Sequence, residues 1–328
     1  MVARTFGKSK TAFRGARLFN PSTDINGVAH LLEEAFRPDN NFPFTATPWL
    51  REVGIALWTL NYAPGSGMPM NGMIWVEDDQ IVGNVSLSPE SGQMERYYLS
   101  NVSVKPEYRR QGVARALMQA TLTHLREQHV TKAFLNVRPG NDSAIKLYTD
   151  LGFRSLETRG EWSINPFPLE RALDRAHVDD LRPIKTSDYT TVAELVRTAS
   201  KYPVRNPSEQ DIFTPPLDLL ITEKISDFLI GQTTRRWVVT RDNRIAAMLL
   251  WRGQRLNPPH RFVILAHADF RGRVENDLVA VALKELAKFP PHAVRAEAVT
   301  SHAELVSALE RHGFVFWNGL TLMEKDLT

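Results

Sequence analysis

The chain is written twice, and that limits what it can fold into more than any other feature. Arg17-Leu18-Phe19 followed by Ser22-Thr23-Asp24 recurs as Arg182-Pro183-Ile184 followed by Thr186-Ser187-Asp188. The run Ile74 to Gly83, with its polar centre Asp78-Asp79, recurs as Trp237 to Ala247 around Asp242-Asn243. Leu151-Gly152-Phe153 recurs as His312-Gly313-Phe314. The offset is far longer than the roughly 20–50 residues of a solenoid repeat, so the pattern is domain duplication. The 328 residues then hold two domains of ordinary size. The expected divisions are a basic lead-in over 1–15, a first domain over 16–165, a linker over 166–180 broken by Pro166 and Pro168, and a second domain over 181–328.

Hydrophobic period and turn residues predict the elements of the first copy. They are strand 16–19, helix 25–36, a second helical region near 48–60, a hairpin over 73–87 and strand 94–104. Helix 112–127, strand 132–137, helix 141–150 and terminal strands over 153–164 follow. The second copy reads similarly from 181 to 328. Each copy is expected to be α/β (α+β): a mixed, mostly antiparallel sheet flanked by helices.

Composition excludes several functions. There are no cysteines, hence no disulfide, no thiol nucleophile and no cysteine-ligated metal. The nine histidines include no His-x-x-x-His spacing, so no metal is expected. A net charge of +3, with its excess in the first 160 residues, makes no case for nucleic acid. No apolar run approaches the roughly 20 residues of a membrane span. Met1 to Arg17 is basic and lacks the apolar core of a secretory signal. A cytoplasmic location is the expectation.

The chemistry concentrates between Asn101 and Phe153. A β-rich run ends at Val104, and Pro106 stops it from continuing. Helical spacing then starts near Gly112 with Val113, Ala116, Leu117 and Ala120. A helix that opens inside a basic, glycine-containing turn presents unpaired N–H groups and the positive end of its dipole. Such an end is suited to an anion, above all phosphate. Gly112 leaves room for close approach, and Arg109, Arg110 and Arg115 supply compensating charge.

This segment resembles the acyl-CoA-binding motif of the GNAT acyltransferase superfamily, Gln/Arg-x-x-Gly-x-Gly/Ala, matched by Arg109-x-x-Gly112-x-Ala114. The strand with Leu99, Val102 and Val104 precedes it, and strand 133–137, Asn141, Ala144, Leu147-Tyr148 and Gly152-Phe153 follow in the family's order. The resemblance covers nearly all of 16–164 and implies tandem GNAT-like domains. It implies an N-acyltransferase that moves an acetyl group from acetyl-CoA to a primary amine of a small molecule or peptide, by direct attack in a ternary complex. The implied donor site comprises Val102, Ser103, Val104, Arg109, Arg110, Gln111, Gly112, Val113, Ala114, Arg115, Asn141 and Ser143, with Tyr148 as the acid for the leaving thiolate. A backbone N–H near Val102 would polarise the thioester carbonyl. The loss of strict alternation in that strand suggests a bulge.

Many relatives place a glutamate on the strand before the phosphate turn; here that stretch reads Leu99-Ser100-Asn101-Val102-Ser103. Glu95, Glu33 and Glu34 are the nearby carboxylates, and each also reads as a surface charge. A non-catalytic acyl-CoA sensor is therefore the competing reading. The loops expected to choose the acceptor, Arg37 to Trp49 and Ala63 to Asn71, carry no substrate signature. A third reading has the second copy contribute acceptor-site residues, for which the loop Tyr202 to Pro216 is the candidate.

The second copy looks degenerate. Matched on Arg109, its turn reads Arg273-Val274-Glu275-Asn276-Asp277-Leu278, with two acids where phosphate would lie and Gly272 too early. Counted back from Gly-Phe, Leu309 replaces Tyr148 and His302 replaces Asn141. His302 is expected to be an exposed residue at a helix start.

Overall fold

The structure is a computed structural model that describes residues 13–36, 71–90, 93–165, 177–199 and 213–328. The expected helical region near 48–60, the loops over 37–49 and 63–70, and most of the linker and of the loop 202–216 lie outside the described residues. The chain forms two compact units. One comprises Met1–Asn136, Asp142–Arg154 and Met323–Thr328; the other comprises Val137–Asn141 and Ser155–Leu322.

In the first unit β1 (Gly15–Leu18), β2 (Asn71–Glu77), β3 (Gln80–Glu90) and β4 (Gln93–Val104) pair antiparallel in that order. β5 (Lys132–Val137) then joins β4 in parallel. Helices α1 (Pro21–Phe36), α2 (Val113–Glu127) and α3 (Asp142–Asp150) belong to this unit. α2 forms because Val113, Leu117, Met118, Thr121, Leu122 and Leu125 recur at helical spacing, and all six are buried. Val28 and Leu32 of α1 pack with Ile74 and Val76 of β2.

The second unit repeats the plan. β7 (Leu181–Pro183), β8 (Gln232–Arg241), β9 (Arg244–Gln254) and β10 (His260–Ala266) pair antiparallel, and β11 (Val294–Val299) joins β10 in parallel. Its helices are α4 (Tyr189–Ala199), α5 (Leu217–Ile230), α6 (Glu275–Leu286) and α7 (Ala303–Arg311). β6 (Arg154–Ile164), although encoded by the first repeat, pairs antiparallel with β11 and buries Trp162 and Ile164 in this unit's core. β12 (Val315–Asp326) ends within the first unit. There Leu327 N–H donates to Thr131 O at 2.9 Å, and the buried Glu324 carboxylate takes Lys132 at 3.1 Å and Arg154 at 2.7 Å.

The duplication extends to individual contacts. Arg17 donates through both terminal nitrogens to Asp24, at 2.6 and 2.8 Å. Arg182 does the same to Asp188, at 2.7 and 3.0 Å. Each carboxylate also accepts a backbone N–H at 2.7 Å, from Asn20 and from Lys185. The arginine hydrogen bonds hold both carboxyls below the ordinary aspartate range. Both hairpins turn on two residues of positive φ, Asp78-Asp79 and Asp242-Asn243, the signature of a type I′ turn. Both carry a register shift just before the turn, at Trp75/Val76 and Val239/Thr240. Among the described residues no helix is long and apolar enough to cross a membrane.

Candidate active site

The candidate site lies where β4 hands over to α2. The parallel ladder between β4 and β5 runs only over Arg96–Leu99 and Lys132–Leu135, so β4 continues from Ser100 to Val104 without pairing to β5. At that point β4 bulges against β3. Asn84 faces Ser103 and Ser86 faces Ser100, so Val85 alone opposes Asn101 and Val102. Asn101 takes a left-handed φ of 52° to accommodate the extra residue. Four polar side chains gather here. Asn84 Nδ2 donates to Asn101 O at 3.1 Å and to Ser86 Oγ at 3.2 Å, and Asn101 Nδ2 donates to Ser86 Oγ at 3.2 Å. Ser103 is buried, and its Oγ has no hydrogen-bond partner among the described residues.

After Val104 the chain makes a 3-10 turn over Pro106–Tyr108 and enters the loop. Arg110 is left-handed at φ 64° and Gly112 at φ 82°, and Ala116 N–H closes the first helical bond to Gly112 O at 3.0 Å. Among the described residues the N–H groups from Arg110 to Arg115 have no protein partner. A Cβ on Gly112 would meet nothing within 4 Å, so the space beside this glycine is open. Six free donors at a helix start suit the oxygens of a diphosphate.

The arginines divide their work. Arg109 Nε donates to Val104 O at 3.0 Å, which braces the turn and engages one carbonyl of the free strand edge. Gln111 Nε2 donates to Glu107 O at 2.8 Å. Arg115 pairs with Asp150 at 2.7 Å and lowers that carboxyl's pKa, so its charge is already matched within the protein. Arg110 is exposed at the turn.

Tyr148 is buried on α3, with its ring edge-on to Phe153 at 6.1 Å. Burial pushes its hydroxyl up to about 12. That hydroxyl has no hydrogen-bond partner among the described residues. Ser143 sits in the first turn of α3 and groups with the first unit. Asn141 stands in the turn before α3, where its N–H donates to Arg138 O at 3.1 Å, and by contact it groups with the second unit. The structure thus gathers Val102–Val104, Arg109–Arg115, Ser143 and Tyr148 in one unit and places Asn141 in the other. Sequence reasoning missed Asn84 and Ser86, which give no sign on a strand until the bulge brings them to Asn101.

The second copy corrects two expectations. Its 3-10 turn spans Ala268–Phe270, Gly272 is left-handed at φ 81°, and Leu278 N–H bonds Val274 O at 3.0 Å. Gly272 therefore matches Arg110, Val274 matches Gly112 and Glu275 matches Val113, two residues away from the alignment on Arg273. His302 is not exposed. It is buried at the start of α7, and its Nε2 lies 2.7 Å from Glu275 Oε1. The other oxygen of Glu275 accepts the N–H groups of Gly272 at 2.8 Å and Val274 at 3.2 Å, the counterparts of the free donors at Arg110 and Gly112. The turn in the second copy therefore holds a carboxylate of its own.

Comparison with known proteins agrees with this architecture. The sequence profile of the acetyltransferase (GNAT) family matches residues 28–153. Mycothiol acetyltransferase of Nocardiopsis dassonvillei is 32% identical over 129 residues, covering 39% of this chain and 31% of that protein. The [ribosomal protein bS18]-alanine N-acetyltransferase of Escherichia coli K12 is 41% identical over 61 residues, 19% of this chain and 41% of that one. The chain thus spans less than half the length of these two relatives. A solved tandem GNAT protein from the clavulanic acid biosynthesis pathway shares the fold with a TM-score of 0.54 at 14% identity, over 96% of this chain and 99% of that one. The profile of the acetyltransferase (GNAT) family thus covers the first repeat, residues 28–153, and nearly the whole chain shares the fold of a tandem GNAT protein.

Proposed function

We propose that the protein is an acetyl-CoA-dependent N-acetyltransferase whose first repeat performs the chemistry. The observation that carries this reading is the run of free amides from Arg110 to Arg115, which follows the stretch of β4 that does not pair with β5. In this reading the amides take the diphosphate of the donor, and the main chain from Val102 to Val104 runs along its pantetheine arm. Residue types and free donors fit that cosubstrate; Asn141 and Ser143 would contact the same arm.

The reaction balances without a covalent enzyme intermediate. The nitrogen of a neutral primary amine attacks the thioester carbonyl carbon, and the carbon–sulfur bond breaks. The nitrogen gives up one proton to water, and the departing sulfur gains one. Burial pushes the Tyr148 hydroxyl up to about 12, above an ordinary thiol, which disfavours full proton transfer to the departing sulfur. Tyr148 therefore serves as a fixed hydrogen-bond donor to sulfur as charge develops, and solvent completes the protonation. The polar cluster Asn84, Ser86, Asn101 and Ser103 contains no carboxylate; in this reading the amine arrives neutral or loses its proton through water.

Support for the acceptor class comes from two relatives, one named for mycothiol and another for an alanine of ribosomal protein bS18. A primary amine on a small molecule or peptide is the common element. The second repeat serves as scaffold: Glu275 fills its amide turn, and Leu309 stands where Tyr148 would act. Calorimetry with CoA and acetyl-CoA tests the donor site; heat with both is expected, and its absence on folded protein overturns the reading. An amine panel, with thiol release followed and products weighed by mass spectrometry, tests turnover. Tight binding with no turnover on any amine would favour the sensor, a reading that the missing carboxylate supports.

A further inference from the structure

The structure assigns a role to Asn84 that the sequence motif does not include: it is the positioning residue that aims the Val102 N–H at the donor's thioester carbonyl. The inference rests on the donor-site reading above. Asn84 is 2% exposed on β3, opposite the bulge. A carbonyl oxygen can only accept, so the Asn84 atom facing Asn101 O must be its Nδ2, and the amide orientation is fixed by chemistry. Its second proton goes to Ser86 Oγ. Asn84 thus holds the oxygen of the Asn101–Val102 peptide toward β3. In a planar trans peptide the N–H points opposite to the C=O. The Val102 N–H is therefore directed away from β3, across β4, to the side where pairing with β5 has already ended.

Without this bond the bulge has an alternative. Asn101 sits at φ 52°, a left-handed region that asparagine tolerates better than most L residues but still populates less than the extended one. Rotation of the peptide would relieve it and turn the Val102 N–H out of line. Asn84 offsets that cost with a buried hydrogen bond and shares Ser86 with the Asn101 side chain, so two residues hold the same geometry.

The test is isotope-edited infrared spectroscopy of acetyl-CoA labelled with 13C at the thioester carbonyl, bound to the full chain. In the native protein the carbonyl band should lie below its position in water. In Asn84→Ala and in Asn84→Asp, which keeps the size but loses the donor, the band should return toward the water value. The turnover number should fall by about 10–100-fold, less than the roughly 100–1000-fold for outright loss of an oxyanion donor because the N–H is misaimed and not removed, with KM for acetyl-CoA little changed. Ser88→Ala, on the same strand but opposite Tyr98 and outside the cluster, should keep the shifted band. Circular dichroism and thermal melts confirm folding, and Asn84→Asp carries the test if the alanine variant fails to fold. A shifted band that survives in the folded Asn84 variants overturns the positioning role while leaving the donor site intact. Absence of acetyl-CoA binding in the native protein overturns the donor reading and this inference with it.

Discussion

Glu275 and His302, 27 positions apart, meet at 2.7 Å inside the second repeat, and both side chains are buried. Burial alone would raise the Glu275 carboxyl. Hydrogen bonds from His302 and from the turn's own amides outweigh it and leave the carboxyl below its ordinary value. The glutamate is in effect a covalently attached anion for a turn that the first repeat leaves open. Glu275→Ala would strand the His302 ring and the amides of Gly272 and Val274 in the interior. We expect it to cost about 3–5 kcal/mol, as when one partner of a buried pair is removed, read by urea or guanidinium titration. Glu275→Gln, which keeps an acceptor for the amides, should cost less. An alanine variant as stable as the native chain would show that the pair contributes nothing.

Acid should unfold this protein through a specific set of carboxylates. Asp24, Asp188, Glu275 and Glu324 all have lowered pKa values in the folded state, against ordinary values of 3.8 for aspartate and 4.5 for glutamate. A group depressed on folding stabilises the folded form above its unfolded pKa, and that stability is lost as pH falls through the folded one. The melting temperature should therefore hold through neutral pH and drop below about pH 4.5. Asp24→Asn combined with Asp188→Asn should flatten the drop while lowering stability at pH 7. A double variant with the native acid profile would exclude the two arginine forks as a cause.

Gly112 tests the open turn. Its φ of 82° strains any L residue, yet a Cβ there would meet nothing within 4 Å. Gly112→Ala should cost only the backbone term, about 1 kcal/mol, and weaken CoA binding by crowding the diphosphate. Gly112→Glu should abolish binding, because a carboxylate beside the turn repels the diphosphate and competes with it for the free amides. Calorimetry reads both, and normal CoA binding by the glutamate variant would place the donor elsewhere.

Much of this was legible in sequence because it depends on local rules. The duplicated hairpin turns follow from Asp-Asp and Asp-Asn, which tolerate positive φ. Helix α2 follows from its apolar spacing and from Gly112. The bulge in β4 showed as broken alternation. What failed did so for non-local reasons. Arg110 and Gly272 share a left-handed backbone but no side-chain likeness, so matching by residue type slid the second motif by two positions. Glu275 read as an acid at a helix start and His302 as an exposed residue at another, because nothing nearby in sequence says that each buries the other. Asn84 was invisible for the same reason: its partners lie across a strand pair whose register only the bulge defines.

Leu309 is the control for assigning chemistry to one repeat. It is fully buried among the apolar residues of the second unit, at the position that Tyr148 occupies in the first. Leu309→Ala should cost about 2–5 kcal/mol, the range for a large buried aliphatic, while acetyl transfer by folded protein stays at the native rate. Loss of turnover in folded protein would mean that the second repeat shares in the reaction.

Tyr148→Phe separates a catalytic hydroxyl from a packing ring. The ring edge on Phe153 survives the change, and the hydroxyl has no protein partner among the described residues. Removing it leaves no buried group unsatisfied, so the melting temperature should stay level or rise slightly. Turnover should fall by about 100-fold, the low end for a proton-donating side chain, because donation from a hydroxyl at about 12 is partial. CoA affinity should be retained. The pH profile gives an independent reading: an ordinary tyrosine would lose activity near pH 10, whereas burial keeps Tyr148 protonated beyond it. Native enzyme whose rate declines through pH 10, with the decline absent in the phenylalanine variant, would mean that the hydroxyl titrates normally and is not held in the dry setting that its role as a donor requires.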